Sequence, residues 1–272
     1  SVVNIILDLL LILVIPLGVL GAAIATLIAQ AVSAVLVTVT LMYRTEGMKL
    51  CLSQIRMYKR MLQSILKIGL PAGFEAIMYS ISNIIVQVSI NNFGVDTMAA
   101  WTAYSKIDFI FWMINSAFGI SVMTFVGQNY GAGKWDRIRR GTKICLGMAL
   151  ISAVSVSIIL MSAERFLFGI FVNDVGVVEI GIRMMNVIAP AYLLFAFIEV
   201  FSGALRAQGA VVVSTLITMV GICVLRMIWV TLVAAHGTLE QVIICYPITW
   251  AAGALAMSIY YIYKQRKIFQ AR

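Results

Sequence analysis

Residues 134–161 read KWDRIRRGTKICLGMALISAVSVSIILM, a short basic cluster followed directly by eighteen residues without a charge. An uncharged apolar run of this length is typical of a helix that crosses a bilayer. The same order recurs along the chain, because other Lys and Arg residues gather at 44–67, at Arg206 and at 264–272, in every second gap between apolar runs. This alternation predicts a chain threaded repeatedly through a membrane, with the basic side facing the cytoplasm by the positive-inside rule.

Composition excludes several other classes of protein. A chain of 272 residues that is 62% hydrophobic, with a mean hydropathy of +1.02, has too much apolar surface for a soluble fold. The net charge of +9 lies in short loops beside apolar runs, so we expect no nucleic-acid partner. The four cysteines form no CxxC motif and are interpreted as small buried hydrophobes, so no cofactor and no metal framework are expected.

The apolar runs predict one partial and seven complete membrane spans. Helices are favoured over barrel strands because the runs exceed twenty residues and do not alternate apolar with polar positions. The predicted fold is therefore an all-α polytopic bundle, with Pro71 in a first helical turn and kinks at Pro190 and Pro247. The predicted spans are 1–15, 19–43, 68–93, 98–126, 139–161, 182–205, 211–235 and 239–263.

Residues 44–67 form a different kind of segment. Their apolar positions, Met48, Cys51, Leu52, Ile55, Leu62 and Ile65, share one helical face, while the basic residues lie largely on another. This pattern predicts an amphipathic helix on the inner leaflet that links two halves of the protein. The run before Pro16 has only about fourteen residues, short of the roughly twenty that a span needs, so we expect it to be the end of a longer helix.

Four segments resemble the multidrug and toxic compound extrusion (MATE) transporters. The stretch Gly127-Gln-Asn-Tyr-Gly-Ala-Gly-Lys134, followed by Trp135-Asp-Arg-Ile-Arg-Arg-Gly141, is similar to an inner loop of that family. The other three segments occur in the family's order, although Ala210-Val211 departs from its usual pattern. They are Asn4–Asp8 with Gly18–Thr26, Gly69–Ala72, and Gly203–Gly209.

The resemblance implies an architecture of twelve helices in two six-helix lobes around a central cavity. Residues 1–43 would then end the N-terminal lobe, and 44–67 would be the cytoplasmic linker. Residues 68–263 would form the C-terminal lobe, followed by a basic cytoplasmic tail at 264–272. The rest of the N-terminal lobe would be a partner of this chain, and the plasma (inner) membrane its location.

Two acidic residues inside the spans are candidates for holding a coupling ion. A charge at mid-helix costs roughly 2.5–3.5 kcal/mol on insertion scales, so each one that persists suggests a site. Counted from the inner helix ends at about 1.5 Å per residue, Glu75 and Glu199 lie at similar depths of about 10 and about 9 Å. Such a pair would hold a proton or bind Na+, unless each acid is simply capped by hydrogen bonds in a helix interface. The resemblance implies coupling acids in the two helices that carry them.

Other polar and aromatic residues suggest a substrate cavity. Tyr79, Asn83 and Gln87 recur at helical spacing beyond Glu75 and either line a cavity or join helices by hydrogen bonds. Asp108 and Trp112 would hold a lipophilic cation, and Met78 would help the cavity adapt to varied ligands. Lys106 and Asp108 are two residues apart, so they point to different faces and are not expected to pair with each other. As a structural role, a Lys106 or Arg226 to Asp108 bridge between helices would neutralise the buried charge. Asp8 is an alternative partner for Arg226.

No motif indicates an enzyme, since GxxxxGK[ST], HExxH and GxSxG are all absent. The resemblance implies secondary active efflux of organic cations or drugs by H+ or Na+ antiport, through alternating access. One alternative is a lipid-linked oligosaccharide flippase of the same superfamily, for which Lys106, Arg183 and Arg226 would supply a basic groove. Another is a truncated lobe that transports nothing by itself.

Overall fold

The structure, a computed structural model, describes residues 2–43, 50–51, 53, 55–233 and 237–270. Within these ranges every regular element is helical and none is a strand. The α-helices are α1 (Val2–Asp8), α2 (Gly18–Tyr43), α3 (Lys59–Asn91), α4 (Val95–Gly131), α5 (Trp135–Ser162), α6 (Glu164–Gly169), α7 (Val175–Ile188), α8 (Tyr192–Ala207), α9 (Val211–Thr218), α10 (Leu225–Ile228), α11 (Leu239–Ile243) and α12 (Cys245–Gln270).

Seven helical segments of the described chain are long and apolar enough to cross a membrane. They correspond to the seven predicted complete spans, and Val2–Val14 forms a shorter apolar helix where the partial span was predicted. Large apolar side chains stay on the outside, as Val19 (89% exposed) and Ile151 (70% exposed) show, which suits lipid as the surrounding solvent. The all-α polytopic fold is confirmed, and the chain is a multi-pass membrane protein.

The chain folds as two compact units, Ser1–Leu62 and Gln63–Arg272. In the first unit, α1 continues as a π-helix over Leu9–Val14, and α2 returns alongside it. Gly21 permits this close approach, because a Cβ atom there would lie 2.7 Å from the carbonyl oxygen of Leu11. Of the amphipathic helix predicted at 44–67, residues 44–49, 52 and 54 lie outside the described ranges, so it stays a prediction.

At the centre of the second unit α8 packs against α4, α5 and α12. Its buried face carries small side chains, among them Ala196 and Ala204, which have no exposed surface. Gly203 brings α8 against α4, since a Cβ atom there would lie 2.8 Å from the carbonyl oxygen of Gly119. Small residues at helix contacts let backbones approach in membranes, where dispersion contacts replace the hydrophobic effect as the driving force.

The three prolines inside spans have different consequences. Pro71 was predicted in a first turn but lies inside α3, because the helix already begins at Lys59 within the amphipathic stretch. The break predicted at Pro190 is confirmed, because a 3₁₀ turn at Ala189–Ala191 separates α7 from α8. Pro247 lies in the first turn of α12, directly after the break that ends α11 at Ile243. Pro71 and Pro190 lack the N–H that a continuous helix would use, whereas in the first turn of α12 that N–H would have no intrahelical partner.

The span that contains α9 and α10 is irregular on both sides of Arg226. Two π-helical segments, Met219–Val224 and Trp229–Val233, flank the short α10 that carries this arginine. Arg226 itself is fully buried. Local π-helices often occur where a helix presents a functional side chain.

Two glycines of the segments quoted above close turns between spans. Gly133 has φ +68° and Gly209 has φ +78°, both in the left-handed region that glycine tolerates best. Gly133 joins α4 to α5, and Gly209 joins α8 to α9. Glycine at these two positions therefore meets a backbone requirement of the tight connections.

Candidate functional site

One cavity of the second unit, here called the aromatic cavity, is lined mainly by ring side chains. Its volume is about 400 Å³, within the range of small-molecule sites. One carboxylate, Asp108, is among its lining residues, and six rings surround the space. The complete lining consists of Tyr79, Asn83, Gln87, Trp101, Tyr104, Ser105, Asp108, Trp112, Ile188, Tyr246 and Trp250.

Asp108 is held in place by neutral donors. The indole Nε1 of Trp112 donates to its Oδ2 at 2.5 Å, and the Tyr192 hydroxyl donates to its Oδ1 at 2.5 Å. The Tyr104 hydroxyl lies 3.2 Å from that of Tyr192 and extends the network. Trp112 is one turn along α4 from Asp108, whereas Tyr192 begins α8 just after the break at Pro190. A carboxylate has about four lone-pair positions, so two donors leave capacity for a ligand.

Arg226 lies behind the wall of the aromatic cavity. Its Nη1 donates to Asn83 Oδ1 at 3.1 Å, and its Cζ lies 4.2 Å from the ring centroid of Tyr246 and 5.7 Å from that of Tyr79. Its Nε and Nη2 have no hydrogen-bond partner among the residues that the structure describes. The guanidinium is therefore stabilised by one amide and two aromatic faces.

The predicted ion pair between Asp108 and Lys106 or Arg226 does not form among the described residues. Lys106 is exposed, because a residue two positions from Asp108 points to a different face of α4. Arg226 uses its charge on Asn83 and the rings instead. The alternative partner of Arg226, Asp8, belongs to the other compact unit, and that pairing stays a prediction.

A second cavity, here called the acidic cavity, contains both predicted coupling acids in its wall. Its volume is about 340 Å³. Tyr79 lines this cavity as well as the aromatic one. The complete lining consists of Glu75, Tyr79, Gly119, Ile120, Met123, Phe195, Ile198, Glu199, Ser202, Gly203, Arg206 and Thr218.

Glu75 is already paired. Arg206 Nη2 donates to both of its carboxylate oxygens, at 2.7 and 2.8 Å, and Thr215 Oγ1 donates to Oε2 at 3.0 Å. Arg206 comes from the last turn of α8 and Thr215 from α9, so Glu75 ties α3 to both. The side chains of Glu75 and Arg206 are 14% and 28% exposed, so water screens the pair only weakly.

Glu199, by contrast, makes no hydrogen bond or ion pair with another residue of the described ranges. It lies on α8 opposite Gly119 of α4, in a space that only a glycine leaves open. A Cβ atom on Gly119 would overlap the Oε1 atom of Glu199. The two acids, predicted to lie at similar depth, therefore differ in that Arg206 contacts the carboxylate of Glu75 but forms no ion pair with Glu199 in the described ranges.

Sequence reasoning identified part of these two cavities. Tyr79, Asn83, Gln87, Asp108 and Trp112 all line the aromatic cavity, whereas Met78 is half-buried and is not among the lining residues. It missed the lining residues Tyr246 and Trp250 and the Asp108 partner Tyr192, because all three lie in apolar stretches without a charged residue. It also interpreted Arg206 only as a charge at the end of a span. No cluster of three or more His, Cys, Asp or Glu occurs in the described part of the chain.

The comparison with protein families decides where the chain belongs. The family model described as MatE matches residues 71–232, which is more than half of the chain. The chain belongs to the MatE family. This match covers Glu75, Asp108, Glu199, Arg206 and Arg226, so both cavities lie largely in the MatE region, and the family predicted from sequence is confirmed.

Two curated relatives of this MatE chain come from bacteria. It is 26% identical over 260 residues to the "Probable multidrug resistance protein YoeA" of Bacillus subtilis, covering 93% of this chain and 56% of the relative. It is 25% identical over 247 residues to the "Multidrug export protein MepA" of Staphylococcus saprophyticus, covering 86% of this chain and 54% of the relative. The chain thus spans about half the length of the curated relatives it matches.

Solved structures share the fold. An "outward-facing conformation of a multidrug resistance MATE family transporter of the MOP superfamily" superposes with a TM-score of 0.89 at 19% identity, covering 98% of this chain and 61% of that one. A MOP superfamily transporter from Pyrococcus furiosus, described as having a binding pocket of reverse polarity, gives 0.88 at 18% identity, with 97% and 60% covered. The titles of both solved structures describe transporters.

Proposed function

We propose that this chain is part of a cation-coupled exporter of organic cations, in which the aromatic cavity binds the substrate and the acidic cavity binds H+ or Na+. The observation that carries the proposal is the carboxylate of Asp108, held among aromatic rings in a cavity of about 400 Å³. The names of the relatives, a multidrug export protein and a probable multidrug resistance protein, support the same function.

The chemistry of the aromatic cavity suits a lipophilic cation. Ring faces attract a cation by roughly 0.5–2 kcal/mol each, depending on desolvation, and they also accept apolar ligand surface. Asp108 adds a carboxylate, and Asn83 and Gln87 add amide groups along one wall. Aromatic faces fit many ligand shapes, which suits an exporter of varied drugs.

Coupling requires that cation binding in one cavity affects the other. Tyr79 lines both cavities, and Phe195 of the acidic cavity packs edge-on against Trp112 of the aromatic one, with centroids 4.6 Å apart. A cation or proton at Glu199, beside Glu75, would therefore alter packing at the substrate site during alternating access. We place the basic helix ends in the cytoplasm and the protein in the plasma membrane, following the positive-inside rule.

An Asp108→Asn substitution in the complete protein tests the substrate site. We expect the affinity for a monovalent organic cation such as ethidium to fall about tenfold or more, because the ligand loses a charge partner worth about 1.5–3 kcal/mol. Binding is measured by fluorescence anisotropy of the purified protein, and export by efflux from cells.

The matched control is Asp96→Asn, the same change at an exposed position in the first turn of α4. We expect this variant to bind and export ethidium like the wild type. Equal affinity in the wild type and Asp108→Asn would remove the aromatic cavity as the cation site.

The flippase alternative gains no specific support from the described residues. Arg183 pairs with Glu240 at 3.6 Å, Arg226 is buried against Asn83, and Lys106 is exposed. None of the three is among the residues that line either cavity.

A further inference from the structure

The acidic cavity contains one more formal negative charge than positive charges. Its charged lining residues are Glu75, Glu199 and Arg206, and Tyr79 is the other titratable side chain in its wall. Two carboxylates and one guanidinium leave a single uncompensated charge. The contacts assign that charge to Glu199, because Arg206 contacts both oxygens of Glu75.

The Arg206 to Glu75 pair differs from the exposed ion pairs of the same chain. Arg165 and Glu179 are equally close, at 2.6 Å, but their side chains are 75% and 46% exposed, so water and salt compete for both partners. Arg206 and Glu75 are 28% and 14% exposed, and Thr215 adds a third donor to the carboxylate. Removing one member of such a shielded pair leaves the other charge uncompensated.

We propose that Arg206 acts as a tethered cation that occupies Glu75, so that the acidic cavity takes up one coupling cation, at Glu199, instead of two. The inference rests on the proposed function only in treating this cavity as the cation site. Arg206 stands in for a second ion that would otherwise bind and leave in each cycle. Exchange of one coupling cation for one monovalent organic cation would then move no net charge.

The test counts the cations that enter the cavity. The complete protein is reconstituted in vesicles on a solid-supported membrane, and the charge displaced by a Na+ jump and, separately, by an H+ jump is measured without drug. We expect the saturating displaced charge per protein to double in Arg206→Gln, because Glu75 becomes a second free carboxylate. The double variant Glu75→Gln/Arg206→Gln removes both charges and is expected to return to the wild-type value.

Two further variants test the number of cations that enter the acidic cavity. Arg206→Lys keeps a tethered positive charge, so its displaced charge should be about half that of Arg206→Gln, whereas Glu199→Gln should abolish the displaced charge. A displaced charge in Arg206→Gln equal to that of the wild type, or a double variant that does not return to it, would overturn the proposal.

If Arg206→Gln does not fold, the single variant Glu75→Gln tests the tethered-cation role of Arg206 by itself. Arg206 and Glu75 are the other charged residues that line the same cavity as Glu199. Released from Glu75, Arg206 should therefore neutralise Glu199, and the displaced charge should fall close to zero although Glu199 is present. An unchanged displaced charge in this variant would contradict the tethered-cation role. If the wild type and its variants give the expected displaced charges but the wild type exports no organic cation, the proposed function is refuted and the tethered-cation role is not.

Discussion

Glu199→Gln is expected to abolish cation-coupled export while leaving the protein folded. The substitution keeps the shape of the side chain but removes the one carboxylate of the acidic cavity that Arg206 does not contact. Loss of a desolvated charge partner costs roughly 2–5 kcal/mol, so cation affinity should fall at least about 30-fold. Ion-gradient-driven ethidium export from proteoliposomes measures the effect.

The matched control is Glu179→Gln, which neutralises an exposed acid in the same lobe, one that pairs with Arg165. We expect this variant to export like the wild type, since exposed ion pairs contribute little. Gradient-driven export that persists in Glu199→Gln at the wild-type rate would show that the coupling cation binds elsewhere.

Gly119→Ala should have the second largest effect, although it adds a single methyl group. That methyl would overlap Glu199 Oε1, so either the carboxylate turns away or α4 separates from α8. We expect cation affinity to drop about tenfold or more, equivalent to about 1.4 kcal/mol, with a loss of stability of about 1–3 kcal/mol from overpacking. Charge displacement and thermal unfolding in detergent measure the two effects.

Gly127→Ala provides a close control on the same helix. A Cβ atom there would have no neighbour nearer than Ala207 Cβ, at 4.0 Å, which is an ordinary contact. The change carries the same gain in helix propensity, about 1 kcal/mol, without the clash. The steric explanation is wrong if both alanine variants bind cations and unfold alike.

The fold could be predicted from the sequence because each membrane span is recognisable from its own residues. Each span must satisfy its own backbone hydrogen bonds and cover about 30 Å of lipid, so length and apolar content reveal it without knowledge of its neighbours. Even the break at Pro190 follows from one missing N–H. The start of α3 was less predictable, because residues 59–67, ahead of the predicted span, contain no glycine or proline that would end a helix.

The site was predictable only in part. The residue types of Glu75, Asp108 and Glu199 are visible in sequence, since a charge within an apolar run stands out. Their partners are not, because Arg206 lies 131 residues from Glu75 and Tyr192 lies 84 residues from Asp108. Pairing at such separations depends on helix rotation and on which small residues permit close approach.

The sequence by itself determined that this chain is a helical membrane protein of the MatE family, and which few charged side chains lie within its spans. Each polar group placed in lipid carries its own free-energy cost, so the spans are visible in the sequence as stretches with few polar residues. Only the tertiary structure decided that one of two similar acids is bound by an arginine while the other faces a cavity. That difference arises from distances between helices, which Gly119 and Gly203 set by letting α4 and α8 approach closely.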